Sequence, residues 1–172
     1  GLGSATLVKA KRDGDWDVVE GAFFSEWSSI EHVIHPFKIP HHWLRFRSAD
    51  WGSASPYSIG WWSVVGDDHR LPPQPGQTTA IRTLPRGALI RYREDYGKKG
   101  GKLTGDAVGR RIVKAEAEDP KLQYGVLDPR AFAEDGGPSI AEGIDDELIK
   151  KQLASFIRAD NKRVAKSGNP DG

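Results

Sequence analysis

Two short apolar segments, each closed by an aspartate, constrain this chain more than any other feature. The first runs Trp43-Leu44-Arg45-Phe46-Arg47-Ser48-Ala49-Asp50 and is stopped by the Gly/Ser/Pro stretch Trp51-Gly52-Ser53-Ala54-Ser55-Pro56. Leu44, Phe46, Ser48 and Asp50 share one parity, so a strand with a period of two turns the acid to the same side as Leu44 and Phe46. The second segment, Leu122-Gln123-Tyr124-Gly125-Val126-Leu127, ends in Asp128 and is stopped by Pro129. There too Leu122, Tyr124, Val126 and Asp128 share a parity. A carboxylate is costly to bury, so an acid in this position belongs at a strand end, beside something positive. One such acid reads as an ordinary turn opener. Two, with a strand-rich stretch and a helix between them, can meet at one edge of one sheet. Nucleases hold a pair of divalent cations against a phosphodiester in that way.

The intervening sequence supplies the rest of such a sheet. Tyr57 to Val65 reads as a strand apolar on both faces, hence central. A Pro-rich loop follows from Asp67 to Gly76, then strands at Ile81–Leu84 and Ala88–Asp95. Gly105 to Glu118 reads as a helix capped by Thr104, with Val108, Ile112 and Ala115 as its packing stripe. Ser139-Ile140-Ala141-Glu142 matches a capping box. A helix is expected from there to Ser155, burying Ile144, Leu148 and Leu153, and then a short strand from Phe156 to Ala159. Asp145, Asp146 and Glu147 read as acids favoured near a helix start, not as metal ligands.

At 172 residues, with 37% hydrophobic and 28% charged residues, the composition is that of one globular domain. No apolar run approaches the roughly 20 residues of a spanning helix, so no membrane partner is expected. Residues 1–17 read as a linker with a tag remnant at Gly1-Leu2-Gly3-Ser4, 18–166 as the domain, and 167–172 as a disordered tail. The missing initial Met fits a domain excised from a longer protein. The absence of Cys excludes disulfides and thiolate metal sites. A net charge of +1 excludes a uniformly basic DNA coat. Lys150, Lys151, Arg158, Lys162, Arg163 and Lys166 nevertheless stand against Asp160 alone, a stretch that reads equally as a phosphate-facing patch or a solvated face.

Two motifs fail when tested. His32, His35, His41 and His42 suggest zinc, but Pro36 and Pro40 break any helix that would align the imidazoles. Gly97-Lys98-Lys99-Gly100-Gly101-Lys102-Leu103-Thr104 suggests a phosphate loop, but its glycine spacing is one residue short and Leu103 stands where a metal-binding hydroxyl is required. A flexible basic turn touching DNA backbone through Lys98, Lys99 and Lys102 is the better functional reading.

Six motifs in order carry a resemblance. Gly21-Ala22-Phe23-Phe24-Ser25-Glu26-Trp27, Arg47-Ser48-Ala49-Asp50-Trp51-Gly52, Arg93-Glu94-Asp95-Tyr96-Gly97, Gly125-Val126-Leu127-Asp128-Pro129, Pro138-Ser139-Ile140-Ala141-Glu142 and Ala159-Asp160-Asn161-Lys162-Arg163 resemble the C-terminal nuclease domain of bacteriophage terminase large subunits. The similarity extends from about Asp15 to Lys166. It implies an α/β, ribonuclease-H-like mixed sheet flanked by helices, which the order of elements also fits. It further implies a Mg²⁺- or Mn²⁺-dependent endonuclease cutting concatemeric double-stranded DNA in the host bacterial cytoplasm. Asp50 is the expected ligand shared by two metal ions, Asp128 completes one site, and Glu94 is a secondary candidate. Lys162 and Arg163 approach phosphate in that picture. An upstream ATPase domain of the same parent chain, a portal protein and a small terminase subunit are the implied partners. The family pattern ends with a third acid on a helix downstream of the Asn-Lys-Arg stretch, which this chain does not reach. A resolvase or transposase core and a non-catalytic DNA-binding or portal-docking domain are the alternative readings.

Overall fold

The computed structural model describes residues 27–52, 56–72, 82–98, 103–134 and 136–160. The chain divides into two compact units, residues 1–37 with 71–82, and residues 38–70 with 83–172. Within the first, the described residues form one helical turn, α1 (Ser29–His32), with Trp27 stacked on His32 at 5.0 Å. The Phe23-Phe24 pair of the aromatic segment lies outside the described residues, as do the linker before it and the tail after residue 160.

The second unit is built on a five-stranded sheet. Its strands are β1 (Arg45–Asp50), β2 (Ser58–Val64), β5 (Leu89–Tyr96), β6 (Tyr124–Leu127) and β7 (Phe156–Arg158), in the order β5-β2-β1-β6-β7. A separate two-stranded ribbon pairs β3 (His69–Arg70) with β4 (Thr83–Leu84). β2 runs antiparallel to both β1 and β5, whereas β1 pairs parallel with β6 and β6 parallel with β7. Four strands, β1, β5, β6 and β7, therefore run the same way and share one edge at their C-terminal ends. This mixed α/β arrangement, with its two helices, is ribonuclease-H-like.

The helices are α2 (Gly105–Ala115) and α3 (Ile140–Ile149). Val108, Ile112, Ala141, Ile144 and Leu148 pack in one cluster with Ile59, Trp61, Leu127 and Phe156 of the sheet. The expected stripe of α2 and the expected apolar side of α3 thus meet the same sheet face. Ser139 opens α3 with a full capping box: its Oγ accepts the Glu142 N–H at 3.2 Å, and Glu142 Oε2 accepts the Ser139 N–H at 2.6 Å. Thr104 holds the equivalent place before α2, yet its side chain makes no capping bond and engages the Asp106 side chain instead, while its carbonyl accepts the Val108 N–H at 3.1 Å. α3 ends at Ile149, short of the expected Ser155, because Gln152 enters the left-handed region (φ 54°) and redirects the chain toward β7.

The apolar parity of β1 is not its covered one. Arg47 is fully buried on the helix side, where its guanidinium bonds both carboxylate oxygens of Glu116 at 2.8 and 3.0 Å and also donates to the Ala154 carbonyl. Trp61 Nε1 donates to the same Glu116 at 2.8 Å. Burial lowers the Arg47 pKa, and the Glu116 charge opposes that effect. Phe46 lies on the other face, stacked on Tyr124 (5.2 Å) and Trp62 (6.4 Å), all three half-buried.

Candidate functional site

β1 ends at Asp50 and β6 ends one residue before Asp128. The parallel register pairs Ser48 with Val126 and Ala49 with Leu127, and the Asp128 N–H extends it by donating to the Ala49 carbonyl at 3.2 Å. Asp50 and Asp128 are therefore consecutive tips of neighbouring strands, which lie about 4.8 Å apart in any sheet. By the alternation of β1, Asp50 belongs to the face of Phe46 and Ser48, opposite the helices. This placement avoids the desolvation cost that an acid on a buried parity would carry.

The two carboxylates differ in their surroundings. Asp50 is exposed, and among the described residues no hydrogen bond or ion pair engages it. Asp128 is half-buried and caps the 3₁₀ turn Pro129–Phe132: its Oδ1 accepts the Arg130 N–H at 2.7 Å. That bond fixes the carboxylate and leaves Oδ2 for a ligand. The 3₁₀ turn begins where Pro129, lacking an N–H, ends the strand.

Glu94 is not brought beside them. It sits on β5, in register with Gly60, which pairs with Ser48. That is two strand spacings, about 10 Å, from β1. Glu94 Oε2 is 3.0 Å from Arg91 Nη1, an ion pair made possible by the register shift of β2 against β5 between Trp61 and Trp62. Lys98 is exposed just past β5, at the edge that carries Asp50. Lys99, Lys102, Lys162 and Arg163 lie outside the described residues.

Three further features surround the acids. Asp160, exposed, follows β7 at the same edge, where the Ala159 N–H donates to the Leu127 carbonyl at 2.9 Å. Arg158 places its guanidinium over the Phe132 ring at 4.8 Å. A cavity of about 530 Å³ lies between β5 and α2, lined by Trp61, Arg93, Glu94, Asp95, Arg111 and Lys114. The cavity does not include Asp50 or Asp128, and its arginines are committed: Arg93 to Asp119 at 2.6 Å and Arg111 to Asp95 at 2.6 Å.

Comparison with known proteins bears on the fold. No family model and no curated protein matches the chain. Solved structures do. The neighbours are phage large terminases. The large terminase of a thermophilic bacteriophage superposes with a TM-score of 0.54 at 17% identity, over 81% of this chain and 28% of that one. A structure of that terminase in complex with ADP gives 0.53, 17%, 81% and 28%. Its complex with ATP-γ-S gives 0.54 at 16% identity, over 94% of this chain and 37% of that one. At these identities the likeness establishes a shared fold, and the chain spans about 28–37% of the terminase length.

The acids also have a donor set suited to a hard cation. Mg²⁺ characteristically keeps several waters and takes one or two carboxylates together with substrate phosphate. Among the described residues, Asp50 with no side-chain bond and Asp128 with Oδ2 open meet that requirement. Among the described residues no group of three or more His, Asp or Glu is arranged to enclose a metal. Such a site therefore depends on water and substrate for its remaining ligands. Sequence reasoning missed Arg130, although it follows the Asp-Pro strand stop by one residue; Arg158 stands in the basic stretch noted above, and only its contact with Phe132, far apart in sequence, carries no sequence signal.

Proposed function

We propose that the chain is the nuclease part of a phage DNA-packaging large terminase, a Mg²⁺- or Mn²⁺-dependent endonuclease acting on concatemeric double-stranded DNA. The observation that carries this reading is the consecutive register of Asp50 and Asp128 at neighbouring tips of parallel strands. The terminase-like fold supports it.

In this reading Asp50, exposed and without a side-chain bond among the described residues, would hold a divalent ion. Asp128, its carboxylate held in place by the Arg130 N–H, would be the second protein ligand. When bound, the ions supply Lewis-acid polarisation of the scissile phosphate and a more acidic attacking water. The chain's own contribution is rigidity. The tips are fixed by ladder hydrogen bonds on a sheet whose other face is packed, so the carboxylates need little reorganisation when DNA arrives. The parent protein's ATPase domain, portal and small subunit are its partners, and the host bacterial cytoplasm is its site of action.

A non-catalytic DNA-binding or docking domain is the second reading, favoured by the absence of a third converging acid among the described residues. Plasmid nicking in Mn²⁺ separates the two. Asp50→Asn and Asp128→Asn are each expected to cut at least about 100-fold more slowly, beyond the 10- to 100-fold typical of residues that only support a ligand. Both variants should melt at the parent temperature. Full cutting by either variant refutes the assignment.

A further inference from the structure

The edge that carries the two acids also carries cations on both flanks. β5 ends at Tyr96, in register with Ser58 and through it with Asp50, so Lys98 emerges two residues beyond the level of Asp50, two strands away on one side. On the other side Arg130 is the second residue of the 3₁₀ turn that Asp128 caps, and Arg158 ends β7 in register with Leu127, on the helix side of the sheet. From β5 to β7 the edge crosses four strand spacings, about 19 Å. That equals roughly five to six base steps at about 3.4 Å per nucleotide of one strand.

These cations have no acidic partner among the described residues. Lys98 and Arg130 are exposed, and neither side chain makes an ion pair with a described residue. Arg158 is exposed and has no carboxylate partner among the described residues. Its guanidinium lies over the Phe132 ring of the turn that Asp128 caps. An arginine held by an aromatic face keeps all its N–H donors for an anion and loses little side-chain entropy on meeting one. The arginines of the cavity between β5 and α2 present the contrast, since each is neutralised by an aspartate.

We infer that Arg130 and Arg158, with Lys98 across the sheet, form a phosphate-contacting rim that seats duplex DNA backbone astride the Asp50–Asp128 tips. The inference rests on the nuclease reading and adds to it the residues that position the substrate. Arg130 does so from the turn that fixes Asp128, which couples seating of the strand to the acid beside it.

The test is equilibrium binding of a fluorescent duplex to the full chain without divalent metal, measured across a salt series. Each phosphate contact contributes about 0.9 to the slope of log affinity against log salt. Arg130→Gln and Arg158→Gln should each flatten the slope by about 0.9, and Arg158→Lys should restore it, since a retained charge still releases a counterion. Lys121→Gln is the control, an exposed lysine before β6 at the opposite edge of the sheet, and should leave the slope unchanged. Unaltered slopes for both arginine variants, or an equal loss for Lys121→Gln, overturn the inference. Its failure is distinguishable from failure of the nuclease reading. Unaltered slopes with intact Asp50-dependent nicking sink the rim alone, whereas flattened slopes with nicking indifferent to Asp50→Asn sink the catalytic assignment alone.

Discussion

Arg47 shows how a single residue can invert the sense of a strand. By pattern alone, Phe46 belongs inside and the flanking arginines outside. The reverse holds because Glu116, Trp61 and the Ala154 carbonyl together accept or surround the guanidinium, with Phe156 beneath it at 4.6 Å. Removing one partner of a buried pair leaves the other charge uncompensated. Glu116→Ala should therefore cost about 3–5 kcal/mol in urea unfolding at neutral pH; a cost below about 1 kcal/mol would show the pair to be solvated. Position 47 was unreadable from sequence because its partner is 69 residues away. The parity of Asp50 was readable, since it depends only on the strand itself. Asp95 gives a pH-dependent case. The Arg111 guanidinium, bonded to its carboxylate, holds the pKa below the ordinary 3.8, burial opposes the shift, and the Tyr57 hydroxyl adds to it. A depressed folded value means that the stabilisation is complete above the unfolded pKa and disappears as pH falls through the folded one. Asp95→Asn should thus be less stable than the parent at pH 7, with the gap closing on acidification below about pH 3.8. A gap that stays constant down to pH 2 contradicts the pairing.

At the scale of elements, the crossing of α2 and α3 depends on residues without side chains. A Cβ at Gly109 would lie 2.8 Å from the Ile144 carbonyl oxygen, and one at Gly105 would lie 2.5 Å from that of Ile140. Gly109→Ala gains about 1 kcal/mol of helix propensity but forces two backbones apart, at about 1–3 kcal/mol. The expected result is a lower melting temperature; a higher one would mean that the helices separate freely. Sequence pattern revealed the start of α3, because a capping box is local chemistry, and the stripe of α2, because helical spacing is local geometry. It overran the end of α3 because Gln152 carries no signature of the left-handed turn it makes. It also placed a cap at Thr104 from residue type, whereas the hydroxyl is not used for that bond.

For the whole molecule, the strand order matters more than any motif. β5 and β6 flank α2 in sequence and run the same way, yet β2 and β1 lie between them in the sheet. That interleaving makes Asp50 and Asp128, 78 positions apart in the sequence, neighbours, and it leaves Glu94 two strands away. Sequence suggested that the acids share an edge, from two similarly closed strands, but it gave no measure of which strands adjoin. Strand adjacency is a long-range property settled by which faces bury together. The account stands on whether those tips hold a divalent ion. A crystal soaked in Mn²⁺ and measured at the manganese absorption edge tests this directly. We expect anomalous density about 2.1 Å from carboxylate oxygens of both Asp50 and Asp128; density confined to other sites, or none at the tips at saturating Mn²⁺, would contradict it.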